Sequence, residues 1–282
     1  VGKGPDHEAW KQAKHGVKYL RDKLDLGDRG FDTGLILSPG WLRGVPWTKD
    51  VQEVAVHKVP GLDHWVDRGE ETRKLLAGRV GDRRVVAFPE AVHLNYDMDY
   101  PASTRRLVRL QVEVLLQLGV RRMVVTTTCV GLKGLGVGDV AVARSFITLL
   151  AAPRPLYGHE RVDAVAALDP DLRALALQAG SSWKDRHVRE ACLAVVTGPD
   201  MLTEEDHRLL ALAGAQAAAT NGLAESAVAA LHGAKLLLLG YVGSDEGERL
   251  APAVLEKRAV ADEKRLGGLL ASVLEGLPAV PA

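Results

Sequence analysis

Apolar residues fall into two textures along this chain. Short Val/Leu-rich runs bounded by glycine or proline alternate with longer stretches in which apolar positions recur at helical spacing. The clearest example runs from Ala191 to Gly243, where ACLAVVT and AKLLLLGYVG enclose helical patterns over Thr203–Ala213 and Leu223–Leu231. Buried strands laid side by side with helices on their faces produce this texture, so the chain is expected to be α/β. Further strands are expected at Thr33–Ser38, Glu53–Val59, Arg84–Phe88, Arg122–Cys129 and Asp139–Ala143, giving about seven with Ala191–Thr197 and Lys235–Val242. Further helices are expected at Ala102–Leu118, Asp169–Ala179 and Pro252–Leu274. His7–Leu24 carries Ala9, Val17, Leu20 and Leu24 near helical spacing among basic residues, which predicts an amphipathic leading helix within an extension over residues 1–30. Ala151–Val162 holds two prolines and no period, and reads as a loop.

Composition narrows the class. At 282 residues, with 47% hydrophobic content and 26% charge, the chain can bury one large core, so residues 1–282 are read as a single domain. Lys+Arg and Asp+Glu both number 36, so no net field attracts nucleic acid or an anionic membrane. No apolar run approaches the ~20 residues a membrane helix needs, and the polar N-terminus carries no signal-peptide pattern. Cys129 and Cys192 lie in strand-like runs, which suits reduced core thiols and a cytoplasmic location.

In an α/β sheet the loops at the carboxyl ends of the strands form the ligand crevice. Here they read Thr197-Gly198-Pro199-Asp200 and Val242-Gly243-Ser244-Asp245. Gly198-Pro199, the Gly214-Ala215 turn ahead of the Glu225 helix, the strand near 121–127 followed by Gly131-Leu132, and Val137-Gly138-Asp139 share one order and spacing with a known family. On these motifs the chain resembles the trimeric-type purine nucleoside phosphorylases and methylthioadenosine phosphorylases from about Thr33 to Gly276, as a divergent member. The resemblance implies a mixed, twisted central sheet flanked by helices, a homotrimer, and phosphorolysis of a purine nucleoside to free base and pentose 1-phosphate. It implies inorganic phosphate as co-substrate, with no metal and no other cofactor. Two alternatives stay open: a silent paralogue serving as a binding or structural subunit, and a nucleoside hydrolase.

The resemblance also assigns residues. The phosphate turn after the first strand corresponds to Ser38-Pro39-Gly40, with proline at the family's hydroxyl position and Ser38 one place earlier. The family's Gly-Arg-x-His corresponds to Glu90-Ala91-Val92-His93, which keeps the histidine and loses the arginine; Arg105-Arg106 is the nearest cationic pair. The small-residue turn after the central strand corresponds to Thr127-Thr128-Cys129-Val130-Gly131, where the two threonines either offer hydroxyls to phosphate or simply end a strand. The family's purine-recognising glutamate falls at Leu202, beside Asp200 and Met201. Thr203 with Glu204, Glu205 and Asp206 also reads as a capped helix start. Thr220-Asn221 takes the place of a Met-Ser pair at ribose and phosphate, and Glu225 aligns with a family glutamate. Ser244, flanked by Asp245, replaces the asparagine that holds the leaving base. The catalytic set implied is therefore His93, Asn221, Ser244 and Asp245. Phosphate falls to Ser38, Gly40, His93, Thr127 and Thr128, and the nucleoside to Asp200, Met201, Thr220, Asn221 and Glu225.

Overall fold

The computed structural model describes residues 8–24, 30–48, 51–62, 73–92, 101–151, 156, 159–197, 202–245, 247–248 and 250–278. Its strands are β1 (Thr33–Ile36), β2 (Gln52–Ala55), β3 (Lys74–Val80), β4 (Arg83–Phe88), β5 (Arg122–Gly131), β6 (Val140–Leu150), β7 (Val188–Val196), β8 (Ala217–Ala219) and β9 (Lys235–Ser244). Its helices are α1 (Glu8–Lys23), α2 (Pro39–Gly44), α3 (Pro101–Gln117), α4 (Pro170–Gly180), α5 (Glu204–Leu212), α6 (Leu223–Leu231), α7 (Pro252–Ala261) and α8 (Glu263–Gly276).

The strands form one mixed sheet in the order β2-β3-β4-β1-β5-β8-β7-β6-β9, and β9 also pairs with β5. The ring β5-β8-β7-β6-β9 therefore closes on itself, and β5 is a member of both the ring and the open wing. β5 runs parallel to β1 on one side and to β9 on the other, with Thr127 opposite Gly240 and Thr128 opposite Tyr241. A strand flanked on both edges cannot tolerate polar groups without local partners. Its three consecutive threonines, Thr126 to Thr128, are thus the notable feature of the sheet.

Helices cover the sheet in two layers. One layer packs α1, α3 and α6 around Leu20, Val108, Leu115, Val125, Val228 and Leu238. The other packs α2, α4, α7 and α8 around Trp41, Val124, Leu172, Leu239 and Leu270. The leading helix behaves as its pattern requires, since Ala9, Ala13, Val17, Leu20 and Leu24 are buried along one face.

Several elements depart from the sequence expectation. Pro39-Gly40, expected as a turn after the first strand, opens α2, with proline in the first helical turn where its missing N–H costs nothing. β3 carries no clear alternation, with burial at Leu75, Ala77 and Val80, and β8 is three alanines; neither is expected from periodicity. Arg144–Leu150 extends β6 well past Ala143. The continuous helix expected over Pro252–Leu274 breaks at Asp262, whose carboxylate accepts the Tyr241 hydroxyl at 2.8 Å.

Candidate functional site

Parallel pairing of β1 with β5 sets the chain leaving Ile36 directly beside Thr126. The Ser38 N–H donates to Thr126 Oγ1 at 2.8 Å, and the two hydroxyl oxygens are 3.2 Å apart. One residue on, the Thr127 hydroxyl donates to the side-chain oxygen of Asn221, while the Thr128 carbonyl lies 3.1 Å from that hydroxyl. Thr127 and Asn221 are both buried. Accepting from Thr127 through its oxygen leaves the Asn221 amide NH₂ to donate elsewhere.

Asn221 is held by the start of α6. Gly222 adopts φ +100°, and a Cβ on it would lie 2.5 Å from a Leu238 methyl, so only glycine makes this turn comfortably. Its N–H donates to Glu225 Oε2 at 2.8 Å. Glu225 is completely buried, and among the described residues its Oε1 finds no hydrogen-bond partner. Burial pushes its carboxyl above the usual glutamate range, against the opposing pull of the backbone hydrogen bonds. Glu225 thus caps the Asn221 turn from within the core.

The loop after β9 is tied down by a second set of contacts. Ser244 is buried opposite Val130, where a register shift interrupts the β5/β9 pairing. Asp245 Oδ1 accepts the Val137 N–H at 3.0 Å, and the Asp245 N–H donates to Glu248 Oε2 at 3.0 Å. Glu248 pairs with Arg258 at 2.8 Å, and Arg258 in turn donates to the Gly243 carbonyl at 2.9 Å. The Arg258 guanidinium and the Asp245 N–H lower the Glu248 carboxyl to about 2. His207 of α5 accepts the Gly247 N–H through Nδ1 at 3.3 Å, which fixes this loop to the helix below it. Asp139 of the Val137-Gly138-Asp139 motif accepts the His187 N–H at 2.7 Å and the Gly136 N–H at 3.0 Å, a purely structural use of its carboxylate.

Other predicted positions resolve differently. Gly40 is buried in α2, with its Cβ position filled by Ala259 of α7, so it serves the packing of α2 on α7. Thr128 and Thr220 are partly exposed beside the Thr127–Asn221 pair. His93, Asp200 and Met201 lie outside the described residues. The family's arginine and glutamate positions have become apolar: Ala91 is 3% exposed inside the core, and Leu202 packs on the cluster of Leu132, Val196 and Leu210. Of the Arg105-Arg106 pair, Arg106 donates to Gln12 of α1 at 2.5 Å. Thr203 and Asp206 form the capping box of α5, the helix-start reading of that segment.

Sequence reasoning missed Thr126 and Gln111. Gln111 accepts the Val92 N–H at 3.3 Å and donates to the Glu90 carbonyl at 2.6 Å, clamping the backbone just ahead of His93. Glu90 itself pairs with Arg73 at 2.9 Å. The signal for Gln111 was the alternation of Arg109, Gln111 and Glu113 with Leu and Val over residues 107–116, and the structure buries all three fully.

Comparison with known proteins identifies the family. The Phosphorylase superfamily matches residues 46–275. A purine nucleoside phosphorylase of Mycobacterium tuberculosis is 28% identical over 268 residues, spanning 93% of this chain and 95% of that one. A putative purine nucleoside phosphorylase of Schizosaccharomyces pombe is 31% identical over 209 residues, 70% of this chain and 62% of that one. The fold matches a crystal structure of Schistosoma mansoni purine nucleoside phosphorylase in complex with adenosine, with a TM-score of 0.78 and 19% identity over 96% of this chain and 98% of that chain. The chain belongs to the phosphorylase superfamily. Within it, its relatives are purine nucleoside phosphorylases.

Proposed function

We propose that this protein carries out phosphorolysis of a purine nucleoside or close analogue, releasing the free base and a pentose 1-phosphate. The observation that carries this reading is the buried Thr127–Asn221 pair, with Ser38–Thr126 beside it, in a chain 28% identical to a purine nucleoside phosphorylase over 93% of its length. In this reaction a phosphate oxygen bonds to C1′ as the bond from C1′ to the base nitrogen breaks. The bonding electrons leave with the base, which takes up a proton, and positive charge builds on the ribose ring at the transition state. Rate comes from donors fixed in advance around phosphate, ribose and base. Ser38, the Gly40 N–H, His93 and Thr128 serve phosphate, and Thr127 contributes by holding Asn221 beside it. Asn221 and Thr220 position the ribose. Ser244 and Asp245, with Asp200 and Met201, are assigned to the base. Apolar replacements at Ala91 and Leu202 remove one cationic phosphate donor and one base acceptor, so weaker phosphate binding and a relaxed base preference accompany the reading.

Inorganic phosphate is the co-substrate, with no metal or other cofactor. The protein acts as a cytoplasmic homotrimer. Among the described residues no helix is long and apolar enough to cross a membrane. The test is a panel of nucleosides assayed for base release with and without phosphate. Release that depends on phosphate supports the proposal. Equal rates in both buffers would mean hydrolysis, and no release from any nucleoside would mean a silent paralogue.

A further inference from the structure

A buried charge network away from the threonine cluster joins three segments that frame the site. Arg109 of α3, fully buried, donates from Nε to Glu113 Oε1 at 2.7 Å, one helical turn along. The other face of its guanidinium grips Glu160 in a fork, Nη1 to Oε2 at 2.6 Å and Nη2 to Oε1 at 2.9 Å. Glu113 Oε1 is shared with His232 Nε2 at 3.1 Å, and Trp10 of α1 stacks on that imidazole with ring centroids 4.7 Å apart. Burial opposes the charge on Arg109, but the hydrogen bonds and attraction of Glu160 and Glu113 outweigh it and raise the guanidinium above its ordinary range.

The placement of these groups matters more than their charge. His232 is the C-cap of α6, whose first residue follows the Asn221-Gly222 turn. Leu223 and Ala227, on the N-terminal half of α6, share an apolar cluster with Ala164 and Val195, and Leu156 and Val162 from the segment that carries Glu160 pack against that cluster. Helix α6 is therefore held at its far end by Glu113 through His232. At its near end it is held by the connecting segment that Glu160 pins to Arg109. Both restraints converge on the Arg109–Glu113 pair. A helix only nine residues long depends on tertiary contacts to stay in place.

We propose that Glu160 and His232 are positioning residues: through Arg109 and Glu113 they lock α6 at both ends, so that Asn221 stays in register with Thr127. None of these four residues is among those assigned to the substrate, and the network's catalytic consequence rests on the phosphorylase reading.

The test uses Glu160→Gln, His232→Gln and the double variant in the full-length protein, read by hydrogen exchange without substrate. Each single variant should accelerate exchange of the amides at 222–226 by about tenfold or more while leaving those at 123–127 unchanged. The double variant should exchange no faster than the faster single, because both changes release the same clamp. Unchanged exchange at 222–226 in either single variant, or independent effects that multiply in the double, would overturn the proposal. Glu160 is partly accessible, so Glu160→Gln keeps the test alive if His232→Gln fails to fold. Where phosphorolysis is observed, both singles should lower kcat by about tenfold with little change in KM. Loosened exchange with unaltered kcat would refute the positioning role. If no nucleoside reacts at all, the phosphorylase reading fails while the exchange result still decides the clamp.

Discussion

Thr127 on β5 and Asn221 ahead of α6 are joined by a hydrogen bond that is sealed from solvent on both sides. It couples the central strand to the turn before α6 across 94 residues of sequence. A bond of this kind orients the Asn221 amide at little entropic cost during a reaction, since its partner is already fixed by the sheet.

Thr127→Val replaces the hydroxyl with a methyl of the same shape and strands the Asn221 oxygen. Thermal or denaturant unfolding should show a loss of about 1–3 kcal/mol. Turnover should fall by about 10²–10³ if Asn221 holds developing charge. A double-mutant cycle with Asn221→Ala measures the coupling; additive effects would mean the bond is incidental.

Glu225 predicts a pH dependence of stability. Its carboxyl is raised in the folded state, so the folded protein binds the proton more tightly than the unfolded chain. The stabilisation is complete below the ordinary glutamate range and is lost as pH rises through the elevated folded value. Glu225→Gln keeps an acceptor for the Gly222 N–H and has no charge to bury, so it should flatten this part of the profile and match or exceed wild type at neutral pH. Glu225→Leu should be destabilised at every pH, because the Gly222 N–H loses its partner.

Glu248 behaves in the opposite sense. Its carboxyl is depressed from 4.5 to about 2, so its support of the Ser244-Asp245 loop is present above 4.5 and disappears as pH falls towards 2. The pair with Arg258 is partly exposed, so salt should weaken it. Glu248→Gln should leave global stability nearly unchanged, and should lower the protection factor of the Asp245 amide at neutral pH towards the value wild type shows in acid.

Restoring the family arginine by Ala91→Arg should damage this protein. Ala91 is buried in the core beside Val92, whose N–H is held by Gln111, so an arginine there puts a long charged side chain where a methyl now packs. Unfolding should reveal a loss of about 3 kcal/mol or more. A variant that folds at wild-type stability and binds phosphate more tightly would show that the segment can turn outward.

The chain's periodicity already determined that it is α/β, and its motif order determined the family, because both depend on which residues are apolar and on spacing along the chain. Leu35, Val124, Leu193 and Leu237 had to be buried strand residues whatever the topology, and Thr203 to Asp206 had to begin a helix. Tertiary structure alone decided the closure of β5 with both β8 and β9 and the strand identity of Ala217–Ala219. It also decided the break between α7 and α8, where Tyr241 reaches Asp262. The same holds for the site. A linear reading could align Glu225 with a family glutamate, but only the fold turns its carboxylate inward to the Gly222 N–H. Nothing local marks Arg109, Glu113, Glu160 and His232 as one group. Propensity and periodicity act over a few residues and are written in the sequence; hydrogen bonds between buried polar groups far apart in the chain exist only once packing has brought their partners together.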